Sequence, residues 1–289
     1  MVAKAGILQH IRATFLRLLR CSDKGQGRPK VKINKKTLLL SISSLILILV
    51  YSFIPPVWKL KSGPIEVTRW PKTGEQTFLI GPQSSHWVPI DTVSRHVLNA
   101  IVVAEDARFF EHDGIDLQEI RNSIETNLEK GRYARGASTI SQQVVKMTLL
   151  SSEKSLMRKL REICGAIFME SLLEKDQILE WYINLTEFGD GVFGIKDAAK
   201  HYFDTAPELL TIQQGANLAL VLPSPNAWSV GLRSRKLTPF GHKRYASIIE
   251  RMYEQRFINN PLRKAALATG DFGRPIDPDM EQKENKSHD

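Results

Sequence analysis

Between Trp87 and Phe257 apolar residues recur at spacings of three and four, the pattern of helices that bury one face. The spacing predicts helices over residues 93–110, 116–130, 139–149, 153–172, 175–184, 195–203, 211–221 and 240–257. Upstream, IEVTRW and TFLIG alternate as a short strand pair would, within a stretch rich in Pro, Gly and Thr. Before that stretch, TLLLSISSLILILVYSFI runs from 37 to 54 without a charge, long enough to read as a membrane-spanning helix rather than a core helix. The polar, Pro-interrupted tail is expected to be disordered. The pattern divides the chain into an arm (1–36), an anchor (37–54), a stem or linker (55–85), a mainly α domain (86–258) and a tail (259–289).

Charge changes this picture in one place. The 289 residues carry a net +9, but residues 1–36 alone hold ten Lys or Arg against the single acid Asp23, so the rest sums to zero. The excess is a local arm, and a nucleic-acid partner is not expected. A cleaved leader would have a shorter apolar region and a small-residue cleavage site, which PPVWKLKSG does not offer. Eight Lys or Arg in 17–36 against four in 55–74 place the arm in the cytoplasm and the α domain outside it, anchored to the inner membrane by a single pass. The basic, amphipathic segment 7–20 would suit the inner membrane surface. Cys21 and Cys164 would lie on opposite sides of the membrane, unable to pair, and neither has neighbours at metal-ligand spacing.

Candidate chemistry begins with AEDARFFEHDG at 104–114. On a helix, Leu98, Val102, Glu105 and Phe109 share one face, so Glu105 interrupts a stripe that otherwise wants burial. Desolvation raises a carboxyl's pKa towards proton exchange. A surface acid at a helix end, or a buried acid paired with an arginine, would give the same pattern. In GASTISQQVVK, Thr139 and Gln142 have capping-box spacing, with Lys146 one turn beyond Gln142. A helix N-terminus beside a lysine suits an anion, though a plain capped helix reads alike. In KSLMRKLREICGAIF, Leu156, Leu160, Ile163 and Ile167 form the expected core stripe, and Arg158 and Glu162 share the opposite face. There they are either a solvated ion pair or a carboxylate and two cations, with Lys159, open to a cleft. Gly189, Gly191 and Gly194 match a dinucleotide fingerprint, but the helical ILEWYIN precedes them where a strand is required.

Taken in order, AEDARFFEHDGID, GASTISQQVVK, RKLRE, KDQILEWYINLTEFGDGVFGIKDAAKHYF and LTIQQGANLALVLPSPNAWS resemble the peptidoglycan glycosyltransferases of family 51, over most of residues 86–230. With one anchor and no transpeptidase domain behind, the chain is similar to the monofunctional members. The resemblance implies a lysozyme-like, all-α fold with a small hydrophobic jaw near the membrane. It implies Glu105 as the general base that deprotonates the 4-hydroxyl of lipid II, the acceptor. That oxygen attacks C1 of the growing strand, undecaprenyl pyrophosphate leaves, and a β-1,4 link forms with inversion. Glu162 is implied as a second carboxylate at the pyrophosphate or its metal, and Gln143, Lys146, Arg158 and Lys159 as the residues that hold the pyrophosphate and sugar. Asp106, Phe109, His112, Ser138, Thr139, Gln142 and Asn184 fall in the same blocks and are expected at the substrate site.

No cofactor is required by the sequence, although Mg²⁺ or Mn²⁺ at the pyrophosphate is compatible with the family. Lipid II, the glycan strand, membrane lipid and other wall-synthesis or division proteins are the implied partners. The chain departs from the family pattern at Met147, at Gly136-Ala137 and at Gln214-Gly215. A glycan-cleaving, lysozyme-like enzyme and an inactive scaffold of a wall-synthesis complex are the rival readings.

Overall fold

The computed structural model describes residues 34–268 except 70, 72, 73, 133–135, 152 and 154, together with Phe272. Residues 1–33 of the basic arm, and the tail from 269 apart from Phe272, lie outside the described residues. The chain divides into two compact units, Met1–Tyr51 and Ser52–Asp289. The apolar run forms α1, Lys35–Phe53, over 19 residues. Among the described residues no helix is long and apolar enough to cross a membrane.

The second unit is mainly helical, with α2 (Arg95–Glu105) and α8 (Ile212–Val221) at its centre. Val97, Leu98, Ile101 and Val102 of α2 are buried, as are Ala216, Leu218, Ala219 and Leu220 of α8. The two helices touch because Gly215 has no side chain: a Cβ there would lie 2.9 Å from the Val97 Cα. The departure at Gln214-Gly215 thus has a packing reason, and Gln214 closes a capping box with Thr211. Around this pair stand α3 (Leu117–Glu129), α4 (Ile140–Leu149), α5 (Leu156–Glu170), α6 (Lys175–Leu185) and α7 (Gly194–Phe203). They are followed by α9 (Pro225–Ser234), α10 (Pro239–Glu254) and α11 (Asn260–Ala268). Both α9 and α11 lie outside the ranges that the apolar spacing predicts.

Two expectations about organisation are corrected. Residues 55–85 are no free linker: Val57, Leu60, Ile65, Val67 and Ile80 belong to the common core. The strand pair forms as expected, β1 (Ile65–Arg69) antiparallel to β2 (Gln76–Ile80), with Ile65 opposite Ile80 and Arg69 opposite Gln76. The Arg69 guanidinium donates to Met147 O at 2.9 Å and Leu185 O at 3.4 Å, joining the hairpin to the carbonyl-rich ends of α4 and α6. The start of the tail is no disordered segment, since Asn260–Ala268 is a helix docked by Tyr245 donating to Ala266 O at 3.1 Å and by a two-pronged Arg263–Glu250 pair at 2.7 and 2.8 Å.

A third correction concerns α5. Leu156, Leu160 and Ile167 are exposed, whereas Glu162, Gly165, Ala166 and Met169 face inward. Gly165 allows the approach, since a Cβ there would meet the Val145 side chain at 2.8 Å and Pro55 at 3.1 Å. Arg161 secures the same helix by donating to Phe53 O at 3.0 Å. The apolar face of α5 therefore looks outward, and so do Leu117, Ile124 and Leu128 of α3.

Candidate active site

The AEDARFFEHDG stretch splits its two acids between separate tasks. Helix α2 ends on Glu105, and Asp106 is its C-cap, short of the helix to Phe110 that the spacing predicts. Asp106 turns inward: Oδ2 accepts the Ile140 backbone N–H at 2.9 Å, and Oδ1 meets His112 Nε2 at 3.0 Å. Phe109 is fully buried beneath Lys175, whose Nζ lies 4.5 Å from the ring centre. Thr139 donates to Gly114 O at 2.8 Å and, with Gln142, forms the capping box that starts α4. This loop is thus the clamp on the N-terminus of α4. Asp106→Ala strands the buried Ile140 N–H and His112 ring, costing roughly 3 kcal/mol. Thermal unfolding should show a Tm about 6–12 °C lower.

Glu105 is left facing a different set of groups. It is half-buried, and Gln143 Nε2 on α4 donates to its Oε2 at 2.9 Å. Tyr182 of α6, almost fully buried, donates its hydroxyl to Gln143 Oε1 at 3.5 Å. Desolvation raises the Glu105 pKa above the ordinary carboxylate range; Asp106 adds to this, while Gln143, Arg244 and Tyr182 oppose it. The same burial, reinforced by Glu105, pushes the Tyr182 phenol well above its usual value, so it stays a neutral donor.

The second carboxylate is enclosed by cations. Glu162 accepts from Arg158 Nη1 at 2.7 Å on one oxygen and from Lys159 Nζ on the other. Lys159 Nζ also reaches Ser138 Oγ at 3.0 Å and Gln142 Oε1 at 3.1 Å, tying α5 to the start of α4. The solvated ion pair is therefore excluded: the Glu162 side chain is 3% exposed and that of Arg158 18%. Both Glu162 oxygens carry a cationic donor, and among the described residues no three of His, Cys, Asp and Glu gather around one point. These side chains do not form the ligand set of a divalent cation.

A groove of about 820 Å³ runs past Gln143 beside Glu105 and Arg158 beside Glu162, while Glu105, Glu162 and Lys159 do not themselves line it. Gln143, Tyr182, Lys146 and Arg158 line it, so the hydrogen-bond partner of Glu105 and the outer cations share one space. Met147 lies on its wall, and Lys146 is exposed within it. Asn184 takes no part: it is buried, accepts from Val88 N at 2.8 Å and donates to Val88 O at 2.9 Å, so its amide secures the chain before α2. Asn184, Phe109, Asp106 and His112 thus hold the fold around the site, and none of them lines the groove.

Other groove residues were not foreseen. Arg69 and Thr68 of the supposed linker line it, as does Glu187. Burial lowers Arg69 to about 10 against the opposing charge of Glu187, and burial raises Glu187. A carboxylate of raised pKa can take a proton from a hydroxyl, and three cations can receive a departing anion. The arrangement suits group transfer from an anionic carrier.

Comparison with known proteins agrees with that class. Residues 73–253 match the family model described as Transglycosylase. A biosynthetic peptidoglycan transglycosylase of Dechloromonas aromatica is 36% identical over 230 residues, covering 75% of this chain and 94% of that protein. A protein of the same description from Nitrosospira multiformis is 39% identical over 168 residues, 58% of this chain and 71% of the relative. The chain belongs to the transglycosylase family.

Proposed function

We infer that the protein is a peptidoglycan glycosyltransferase of bacterial cell-wall synthesis, polymerising lipid II into β-1,4-linked glycan strands. The carrying observation is the single groove that joins Gln143, the partner of Glu105, to Lys146 and Arg158. Glu105 takes the proton from the 4-hydroxyl of the acceptor sugar, with Gln143, itself held by Tyr182, fixing its carboxylate. The freed oxygen forms a bond to C1 of the growing strand from the face opposite its diphosphate. The C1–O bond breaks, its electron pair stays on the diphosphate oxygen, and the anomeric centre inverts. Lys146, Arg158 and Lys159 hold the departing diphosphate, which gains one negative charge as the bond breaks, and Glu162 keeps Arg158 and Lys159 aimed. A cleaving enzyme releases no diphosphate and has no use for the three cations.

The exposed apolar faces of α3 and α5, together with the uncharged run 37–54, support action at a membrane holding the lipid-linked substrate. The proposed topology is one anchoring helix with the catalytic unit outside the cytoplasm. Incubating the full chain with lipid II in detergent should yield lengthening glycan strands and one undecaprenyl pyrophosphate per bond formed. Shortening of preformed strands with no diphosphate released would refute this reading in favour of cleavage.

A further inference from the structure

We propose that the cationic surface formed by the end of α9, the start of α10 and the turn between them is a docking track for the growing glycan strand. It takes the strand by the carboxylates of the short acidic peptides that hang from alternate sugars. The proposal rests on the glycan-polymerising reading and gives its product a second contact, outside the groove.

Charge is the first observation. Between Glu208 and Glu250 the chain carries no Asp or Glu, while the same stretch holds Arg233, Arg235, Lys236, Lys243 and Arg244. Residues 37–289 sum to zero, so this excess is set against an acidic remainder. Elsewhere on the surface cations stand beside acids: Arg121 with Glu125 at 3.0 Å, Arg108 with Glu111 at 2.9 Å, and Lys200 with Asp204. Arg235, Lys236 and Lys243 are exposed and form no salt bridge among the described residues.

These cations stand on a fixed turn. Arg235 closes α9 in the left-handed conformation at φ 50°, where glycine is the usual residue, so a charged side chain is kept where the backbone favours none. Its N–H donates to Leu232 O at 3.2 Å, and that of Lys236 donates to Gly231 O at 3.0 Å. Leu237 is buried beneath, and Thr238 caps α10 by accepting from Gly241 N at 3.1 Å. An aromatic shelf lies alongside: Phe240, 59% exposed, meets Trp228 edge-on at 5.4 Å, and the Arg244 guanidinium covers the Trp228 ring at 5.3 Å. Such a shelf suits the C–H face of a sugar ring, and unpaired cations suit carboxylates. A peptide-bearing glycan offers both.

The surface also continues the groove. Helix α9 starts at Pro225, which lines the groove, and packs on β3 (Glu187–Gly189), whose Glu187 lines it too. Trp228 lies one turn along α9 from Pro225, and Arg235 about 15 Å along it. A membrane surface fits less well. The exposed apolar faces belong to α3 and α5, and α5 packs on α4, whereas α9 packs on α8 and β3. A strand held on α9 stays at high local concentration beside the groove between additions.

The test compares the full chain in detergent with a triple variant, Arg235→Gln, Lys236→Gln and Lys243→Gln. Labelled, uncrosslinked glycan strands are titrated in by fluorescence anisotropy, with their peptides intact or enzymatically removed. Intact strands should bind the parent chain in a salt-sensitive way, and the triple variant roughly tenfold more weakly. Peptide-free strands should bind both proteins alike. With lipid II the triple variant should make the first coupling at an unchanged rate but release strands roughly threefold shorter. Arg235→Gly relieves the left-handed turn, so it should weaken strand binding without lowering the Tm, which separates lost charge from lost fold.

Equal binding of intact strands by parent and variant, or products of unchanged length, would overturn the proposal. So would a loss confined to vesicles of anionic lipid, which would make the surface a membrane contact. The binding arm needs no turnover, so it decides this proposal even if lipid II proves not to be polymerised.

Discussion

Glu105→Gln is expected to end strand growth, with a rate loss of roughly a hundred- to ten-thousand-fold, while the protein becomes no less stable. The rate effect follows from losing the carboxylate proposed as the base. The stability effect follows from linkage. Burial raises the folded-state pKa of Glu105 above its unfolded value, so the folded protein binds this proton more tightly. The stabilisation is complete below the unfolded pKa and is lost as pH rises through the folded one. At neutral pH the ionised carboxylate is therefore a net cost that a neutral amide avoids, and Gln keeps an oxygen for Gln143 Nε2. Thermal unfolding at neutral pH should give an unchanged or higher Tm alongside absent product. A Tm loss of several degrees would mean that Glu105 holds the fold and would remove the reason for calling it a base.

Glu162→Ala should behave in the opposite way, losing both activity and stability. It leaves Arg158 and Lys159 side by side without their shared carboxylate, and Arg158 is largely enclosed. Breaking a buried pair costs about 3–5 kcal/mol. Lys159 is 39% exposed and partly rescued by water, so the low end, about 3 kcal/mol, is expected. This corresponds to a Tm lower by about 6–12 °C. Glu162→Gln keeps one acceptor and should recover part of the stability while remaining slow. Two acids in one enzyme are then separable by calorimetry: one is retained at the expense of stability, the other supports it.

How far the sequence spoke for the structure differs from one residue to the next. Glu105 was legible because a helical stripe has a fixed period, and an acid within it stands out without knowledge of any partner. The capping box at Thr139 was legible for the same reason, since both members lie within one turn. Asn184 was not, because its partner is the Val88 backbone, 96 positions away. Helix α5 was misread for a deeper reason. An amphipathic pattern states that two faces differ, and which face turns inward depends on what the neighbouring helix offers. Here Ser138, just before α4, and Gln142 in its first turn face Lys159, and Gly165 makes the polar side the closer-fitting one. Arg69 was hidden by composition, since a stretch rich in Pro and Gly reads as a spacer until its hairpin is seen in the core. Helix α9 was obscured by Gly231 within it and Pro225 at its start.

The outward-turned side of α5 has a practical corollary for handling the protein. Leu156, Met157, Leu160 and Ile167 remain in the second unit whether or not α1 is attached. Cutting away the N-terminal helix would leave a molecule still inclined to self-associate in plain buffer. Polar replacements along that one ridge, away from Glu162 and its cations, are the more direct route to a form that stays dispersed at high concentration.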